Sequence, residues 1–247
     1  MKRTIKTVFS ALAIAISTMT SASSQTGDSL PSADEVVAKM LRGDAERRPE
    51  LTGYTALRRY VAVNKDRRAE MEVRVDCGSD GTKQFTITSE QGSRSIRKHA
   101  FYKMLSEEST ASRREARDDS RITPANYTFN MVGQDTLDTG PAYVLAIIPK
   151  TENKYLIDGK IWVNAKDYSI VRIEGQPARN PSFWVHDVHF VHTYRRVGQF
   201  WFPSSTHSTS EIRIFGRSDL TIESSAYALT PPKKLTASAD PAASLVR

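Results

Sequence analysis

Cysteine is all but missing: Cys77 stands alone in 247 residues. No internal disulfide can form, so packing alone has to hold the fold. The signatures of common reaction centres are missing too. The chain carries no G-x-S-x-G elbow, no HExxH pair, no P-loop and no dinucleotide fingerprint. Long apolar runs are also lacking. Spanning a bilayer takes roughly 20 apolar residues, and the stretch at 8–16 is about half that length. Charge of one sign is not concentrated anywhere. The formal charge is +7, but Arg and Lys are dispersed among acids rather than gathered into the stripe that marks a nucleic-acid binder. That dispersal fits an acidic partner or anionic lipid headgroups better than nucleic acid.

What is present begins at the first residues. Lys2, Arg3 and Lys6 make a positive n-region, residues 8–16 an apolar h-region, and Ala22-Ser23-Ser24 a small-residue cleavage pattern. A secretory signal peptide is therefore expected over residues 1–24, leaving Gln25 as the new N-terminus. Losing Lys2, Arg3 and Lys6 takes the formal charge from +7 to +4. A lipoprotein signal would need a cysteine at the cleavage point, where none stands.

One helix is written clearly into residues 32–42. Ser32 stands at the N-cap with Glu35 three residues on, and Val36, Val37, Met40 and Leu41 share a face at helical period. Pro49 marks the exit. From about Gly53 the period becomes two. Met71, Val73, Val75 and Cys77 alternate with Glu70, Glu72, Arg74 and Asp76, a half-buried strand in which Cys77 reads as interior. Similar runs occur at 54–63, 85–87, 127–134, 143–148, 155–163, 168–174, 183–195, 200–208, 211–215 and 220–229, and residues 95–102 read as a further strand. Turn residues separate them at 78–81, 140–141, 164–167, 198 and 216. The spacing predicts a mainly β fold, an antiparallel meander of about ten to twelve strands closed or half-closed into a barrel. It runs over residues 25–230, with a disordered tail over 231–247. Residues 107–121 break the pattern with dense mixed charge, as an exposed helix or a loop placed to act as a lid.

Candidate chemistry is thin. His186, His189 and His192 recur every three residues, but their surroundings are those of a strand. There His186 and His189 point to opposite faces, and His186 and His192 stand about 20 Å apart. No metal or other cofactor is expected from them. Asp118 and Asp119 read as solvated charges, so no catalytic residue is assigned. The surplus is apolar. Trp184, Val188, Phe190 and Tyr194 fall on one strand face, with Phe200 and Phe202 across the Gly198 turn. Tyr155, Ile157, Ile161 and Val163 make a second face. One helix covers only part of such a sheet, which leaves room for an apolar ligand.

The segments YLIDGKIWVNAKDYSIVRIEG and GQFWFPSSTHSTSEIRIFGRSDLTIESSAYAL sharpen this picture. In the first, Ile161-Trp162-Val163 turns through Asn164 to Asp167 and returns as Tyr168-Ser169-Ile170-Val171. In the second, Gly198-Gln199-Phe200-Trp201-Phe202-Pro203 resembles a Gly-x-aromatic-x-Pro entry to the final strands. With the leader and the early helix, they resemble the LolA/LolB-like and RseB-like periplasmic lipoprotein-sorting superfamily across most of the chain. The resemblance implies a half-open β-barrel with an N-terminal helix and a helix or loop lid, in the periplasm. It also implies a carrier without enzymatic activity whose cavity holds a lipid or lipoprotein acyl chain. The candidate cavity residues are Tyr155, Ile157, Ile161, Trp184, Val188, Phe190, Tyr194, Phe200 and Phe202. Two alternatives stand beside it: an RseB-like regulatory module binding a membrane-anchored envelope protein, and an exported hydrolase.

Overall fold

The computed structural model describes residues 30–113, 119–183, 185–213 and 216–231. The expected leader, Trp184, Asp118 and nearly all of the C-terminal tail lie outside the described residues. The first element is helix α1, Ala33–Arg47. Its start is the one the sequence announces: the Glu35 N–H donates to Ser32 Oγ at 3.2 Å, satisfying one of the helix's open donors. Val36, Val37 and Met40 are buried, and the helix passes into a 3₁₀ turn at Arg48–Glu50, with Pro49 where its missing N–H does least harm.

The described residues form ten strands: β1 Tyr54–Asn64, β2 Arg67–Cys77, β3 Lys83–Gly92, β4 Tyr127–Leu137, β5 Gly140–Pro149, β6 Ile157–Asn164, β7 Ile170–Pro177, β8 Val185–Val197, β9 Phe200–Ile212 and β10 Gly216–Leu229. They make one antiparallel sheet in the order β3-β2-β1-β10-β9-β8-β7-β6-β5-β4. The last strand lies beside the first, and β3 and β4 are left as the two edges, giving a half-open barrel. Nearly every connection is a short hairpin. The exception is the passage from β3 to β4, which must travel from one edge to the other. It is helical over residues 94–111, with a π turn at Arg97–Phe101 and a regular helix at Tyr102–Ala111; we term this segment α2.

Alternation sets which face is inside. Tyr54, Ala56, Arg58, Tyr60, Ala62 and Asn64 of β1 are buried, while Leu57 and Arg59 between them are exposed. Met71, Val73 and Val75 of β2 lie opposite Tyr60, Arg58 and Ala56 and are equally buried. At the other end, Gly159 of β6 faces Gly175 of β7. A Cβ on Gly159 would stand 2.1 Å from the Glu174 carbonyl oxygen, and one on Gly175 2.3 Å from that of Asp158. Only glycine permits this close approach of the two backbones.

Three expectations need correction. Residues 95–102 are helical, not a strand, because Ile96, Ala100, Phe101, Met104 and Leu105 fall at helical spacing and pack on β1 and β2. The runs at 200–208 and 211–215 are not separate: Thr209 and Ser210 stay in ladder with Asp219 and Ser218, so one strand reaches Ile212. Cys77, expected inside, is only half-buried at the end of β2.

Candidate ligand cavity

Two helices lie against the inner face, and they fill it differently. At the β1–β3 end, Phe101 and Leu105 of α2 close over Tyr60, Ala62, Ala69, Met71 and Val73. Behind them sits a partly buried ionic cluster. Arg58 is 7% exposed and donates to Glu108 Oε2 at 2.6 Å and to the Tyr60 hydroxyl at 3.1 Å. Lys83 Nζ donates to Glu108 Oε1 at 2.7 Å. Burial alone would raise the Glu108 carboxyl, but Lys83 and Arg58 outweigh it and hold it down at about 2. The charged stretch at 107–121 therefore begins as the end of α2, with Glu107 and Glu108 half-buried and paired to Lys154 and to Arg58 and Lys83.

At the β4–β7 end, Val36, Val37 and Met40 of α1 pack on Tyr127, Leu145, Ile147, Leu156, Ile161, Val163 and Ile173. Past Met40 the helix leaves the sheet a gap. A cavity of about 400 Å³ opens between the second half of α1, residues 121–123, and the ends of β7, β8 and β9. Its walls are Met40, Leu41, Leu51, Ile122, Tyr168, Ile170, Ile173, Tyr194, Phe200, Trp201 and Phe202. This is the size and character of a small-ligand pocket, which typically runs about 300–1,000 Å³ with apolar walls and few polar groups.

The walls are held in place by named contacts. The Asn164 side chain accepts from the Lys166 and Asp167 N–H groups at 2.9 and 3.3 Å, an Asx-type turn that leads into Tyr168 at φ 55°. Tyr168 is then fixed by a stack on Tyr143 at 6.1 Å and by Lys39, whose Nζ lies 5.1 Å from the ring centre and donates to the hydroxyl at 3.3 Å. The Trp201 indole N–H donates to Asp167 Oδ2 at 2.8 Å. Phe202 packs edge-on to Tyr54 at 4.8 Å and stacks on Tyr227 at 4.7 Å. Burial raises the Tyr194 hydroxyl to about 12. The mouth carries Asp44, Arg47, Arg48 and Arg121.

Of the residues singled out in the sequence, Tyr194, Phe200 and Phe202 line this cavity. Phe190 packs at the margin of the neighbouring core, and Ile157 and Ile161 belong to that core, where Ile161 is wholly buried. Tyr155 precedes β6 and is 42% exposed. Val188 does not share one unbroken face with the rest. The two residues between His186 and His189 oppose the single Ser210 between Glu211 and Thr209 on β9, and Asp187 has φ 49°, a bulge that re-aims the side chains. Sequence reasoning missed Ile122, Trp201, Ser169 and the arginines. Trp201 sat in view between Phe200 and Phe202, whereas nothing local marks Ile122 or Arg121 as neighbours of α1.

The histidines make separate contacts. His186 Nδ1 lies 2.8 Å from Asp187 Oδ2, and His192 Nδ1 lies 2.7 Å from Thr206 Oγ1. Burial lowers His192 to about 4, with the Glu108 charge opposing. Among the described residues no three His, Cys, Asp or Glu side chains gather as a metal site. A larger depression of about 950 Å³ beside Tyr155, Lys154, Arg179, Phe183 and Arg213 is open and mostly polar, so it gives an apolar ligand little to bury against.

No family model matches the chain, and no curated protein matches its sequence. Solved structures do resemble it. A DUF1329 family protein from Desulfovibrio piger is 13% identical at a TM-score of 0.44, over 82% of this chain and 95% of that one. A LolA superfamily protein from Nitrosomonas europaea is 10% identical at 0.44, over 82% and 96%. An outer membrane lipoprotein-sorting protein domain from Vibrio parahaemolyticus is 12% identical at 0.42, over 82% and 95%. The family resembled by the sequence is thus represented among them. At such identities and scores they assign this chain neither a ligand nor a partner.

Proposed function

We propose that this protein is an exported binding protein of the cell envelope, freed into the periplasm by removal of residues 1–24, that carries the apolar chain of a lipid or lipidated protein in the cavity beside α1. The observation that carries the reading is the formed gap itself: about 400 Å³ walled by Leu41, Ile122, Ile173, Tyr194 and Phe202. A chain entering it leaves water without any covalent step. About ten buried methylenes at about 0.8 kcal/mol each supply about 8 kcal/mol, a micromolar Kd before the costs of association are subtracted.

The test uses the neutral apolar fluorophore N-phenyl-1-naphthylamine and the variant Leu41→Trp, which places an indole in the gap from a half-buried position on α1. Wild-type protein is expected to give a saturable rise in fluorescence, and the variant to lose it while melting at an unchanged temperature. Absence of saturable binding by the wild type overturns the reading and favours a protein-binding module. Binding that survives Leu41→Trp overturns the location.

A further inference from the structure

Along the sequence the basic residues are spread among acids, but α2 sorts some of them onto one face. Its inner side is apolar: Phe101 and Leu105 are buried, with Ile96, Ala100 and Met104 packed beside them. Its outer side carries Arg94, Lys98, His99, Tyr102 and Lys103, all exposed. The acids of α2 and of the adjoining strand β3 are already engaged. Glu90 accepts from Arg97 and from the Tyr102 hydroxyl. Glu107 lies 3.5 Å from Lys154, and Glu108 is held by Arg58 and Lys83. Among the described residues no ion pair reaches Arg94, Lys98 or Lys103. The helix gains nothing from these three cations. Arg94 and Lys98 stand at a like-charge spacing that weakens a helix, and Arg94 opens the first turn, where the macrodipole favours acids instead. Neither packing nor helix electrostatics accounts for the face.

We propose that this face of α2 docks the protein on an anionic phospholipid surface, with Arg94, Lys98 and Lys103 among the headgroups and the Tyr102 ring at their level. Separated charges on a helix suit a fluid layer of phosphates better than a protein partner. Lysine is depleted in protein interfaces, which turn on aromatic and arginine anchors set into pockets. The basic side of an amphipathic helix needs no such fixed geometry to hold anionic lipid, and an exposed tyrosine combines an apolar body with a polar tip. Three charges give reversible docking rather than an anchor. The face lies at the β1–β3 end, away from the gap beside α1, so the inference goes beyond the cavity reading and can fail separately from it.

The experiment floats wild-type protein with vesicles of phosphatidylcholine alone and of phosphatidylcholine with about one-third phosphatidylglycerol. Binding is expected to the second kind only, and about 0.5 M salt is expected to release it by screening exposed charges. Each cation at an anionic surface is worth roughly fivefold in affinity, so Arg94→Gln, Lys98→Gln and Lys103→Gln together are expected to weaken binding about a hundredfold. The control removes equal charge from other exposed positions, through Arg42→Gln, Lys160→Gln and Arg217→Gln, and is expected to stay within about fivefold of wild type. Both triple variants are expected to melt as wild type does and to keep the binding of N-phenyl-1-naphthylamine. Wild type that binds both vesicles equally, or neither, overturns the proposal and leaves the cavity reading standing. Equal losses in the two triple variants overturn the site, because net charge alone then governs binding. Wild type that ignores vesicles yet is retained by immobilised poly-glutamate, which lets the α2 variant pass, assigns the face to an acidic protein and overturns the membrane. Because the lipid comparison needs no variant, a substitution that fails to fold does not blunt it.

Discussion

Each end of the sheet's inner face is covered by a helix, yet one is shut and the other is open. At the α2 end Phe101 and Leu105 reach into the sheet, and Glu108 is clasped by Arg58 and Lys83. At the α1 end Val36, Val37 and Met40 seat the first half of the helix. Among the described residues its second half is tied by Leu41 packing on that core, by Arg47 to a carbonyl and by Asp44 to Arg48 and Arg121. A helix that inserts large side chains along its length closes a sheet. A helix that inserts them along half its length and finishes with long basic side chains leaves a gap with a charged mouth.

The sharpest way to break this contrast is to remove the clasp. Glu108→Ala leaves Arg58 and Lys83 without their acid and is expected to cost about 3 kcal/mol, in line with other broken buried pairs; urea unfolding measures it. Acid removes the same interaction more gently. Glu108, ordinarily at 4.5, is held at about 2, so its contribution is complete above about 4.5 and is lost as the pH falls toward 2.

His192 gives the next effect. It is ordinarily at 6.5 and is lowered to about 4 by burial. The unfolded chain therefore binds the extra proton between those values, and stability should fall as the pH drops from 6.5 to 4 and then level off. The total is roughly 2–3 kcal/mol. Melting temperatures of wild type and His192→Gln across that range check it, since the variant should lose the slope. At the open end, Ser32→Ala removes the cap of α1 and is expected to cost about 1 kcal/mol, without closing the gap. Leu41→Trp is the smallest change to stability and the largest to ligand binding, which is the contrast in its purest form.

Much of the closed and open architecture was legible in the sequence, and the failures have physical causes. The α1 cap, its buried stripe and the antiparallel meander follow from local rules, and they hold at Ser32, Val36, Met71 and Val73. The second helix was hidden because its apolar positions are few and lie among Arg, Lys and His, a composition that strand and helix share over so short a span. The bulge at Asp187 was hidden because a backbone irregularity has no periodic signature there. The cavity was legible only in part. Tyr194, Phe200 and Phe202 belong to the aromatic surplus that pointed to it, whereas Arg121 and Ile122 reach it only through the chain's return from the far edge of the sheet.

The most direct test of the open-end account is a methyl-resolved NMR titration of the wild-type protein with dodecanoate. Met40, Leu41, Leu51, Ile122, Ile170 and Ile173 line the gap, whereas Met71, Met104 and Leu105 belong to the sealed end. The account predicts saturable shifts confined to the first group, with the second unmoved. Shifts at the α2 end, or none at Leu41 and Ile173, would contradict it.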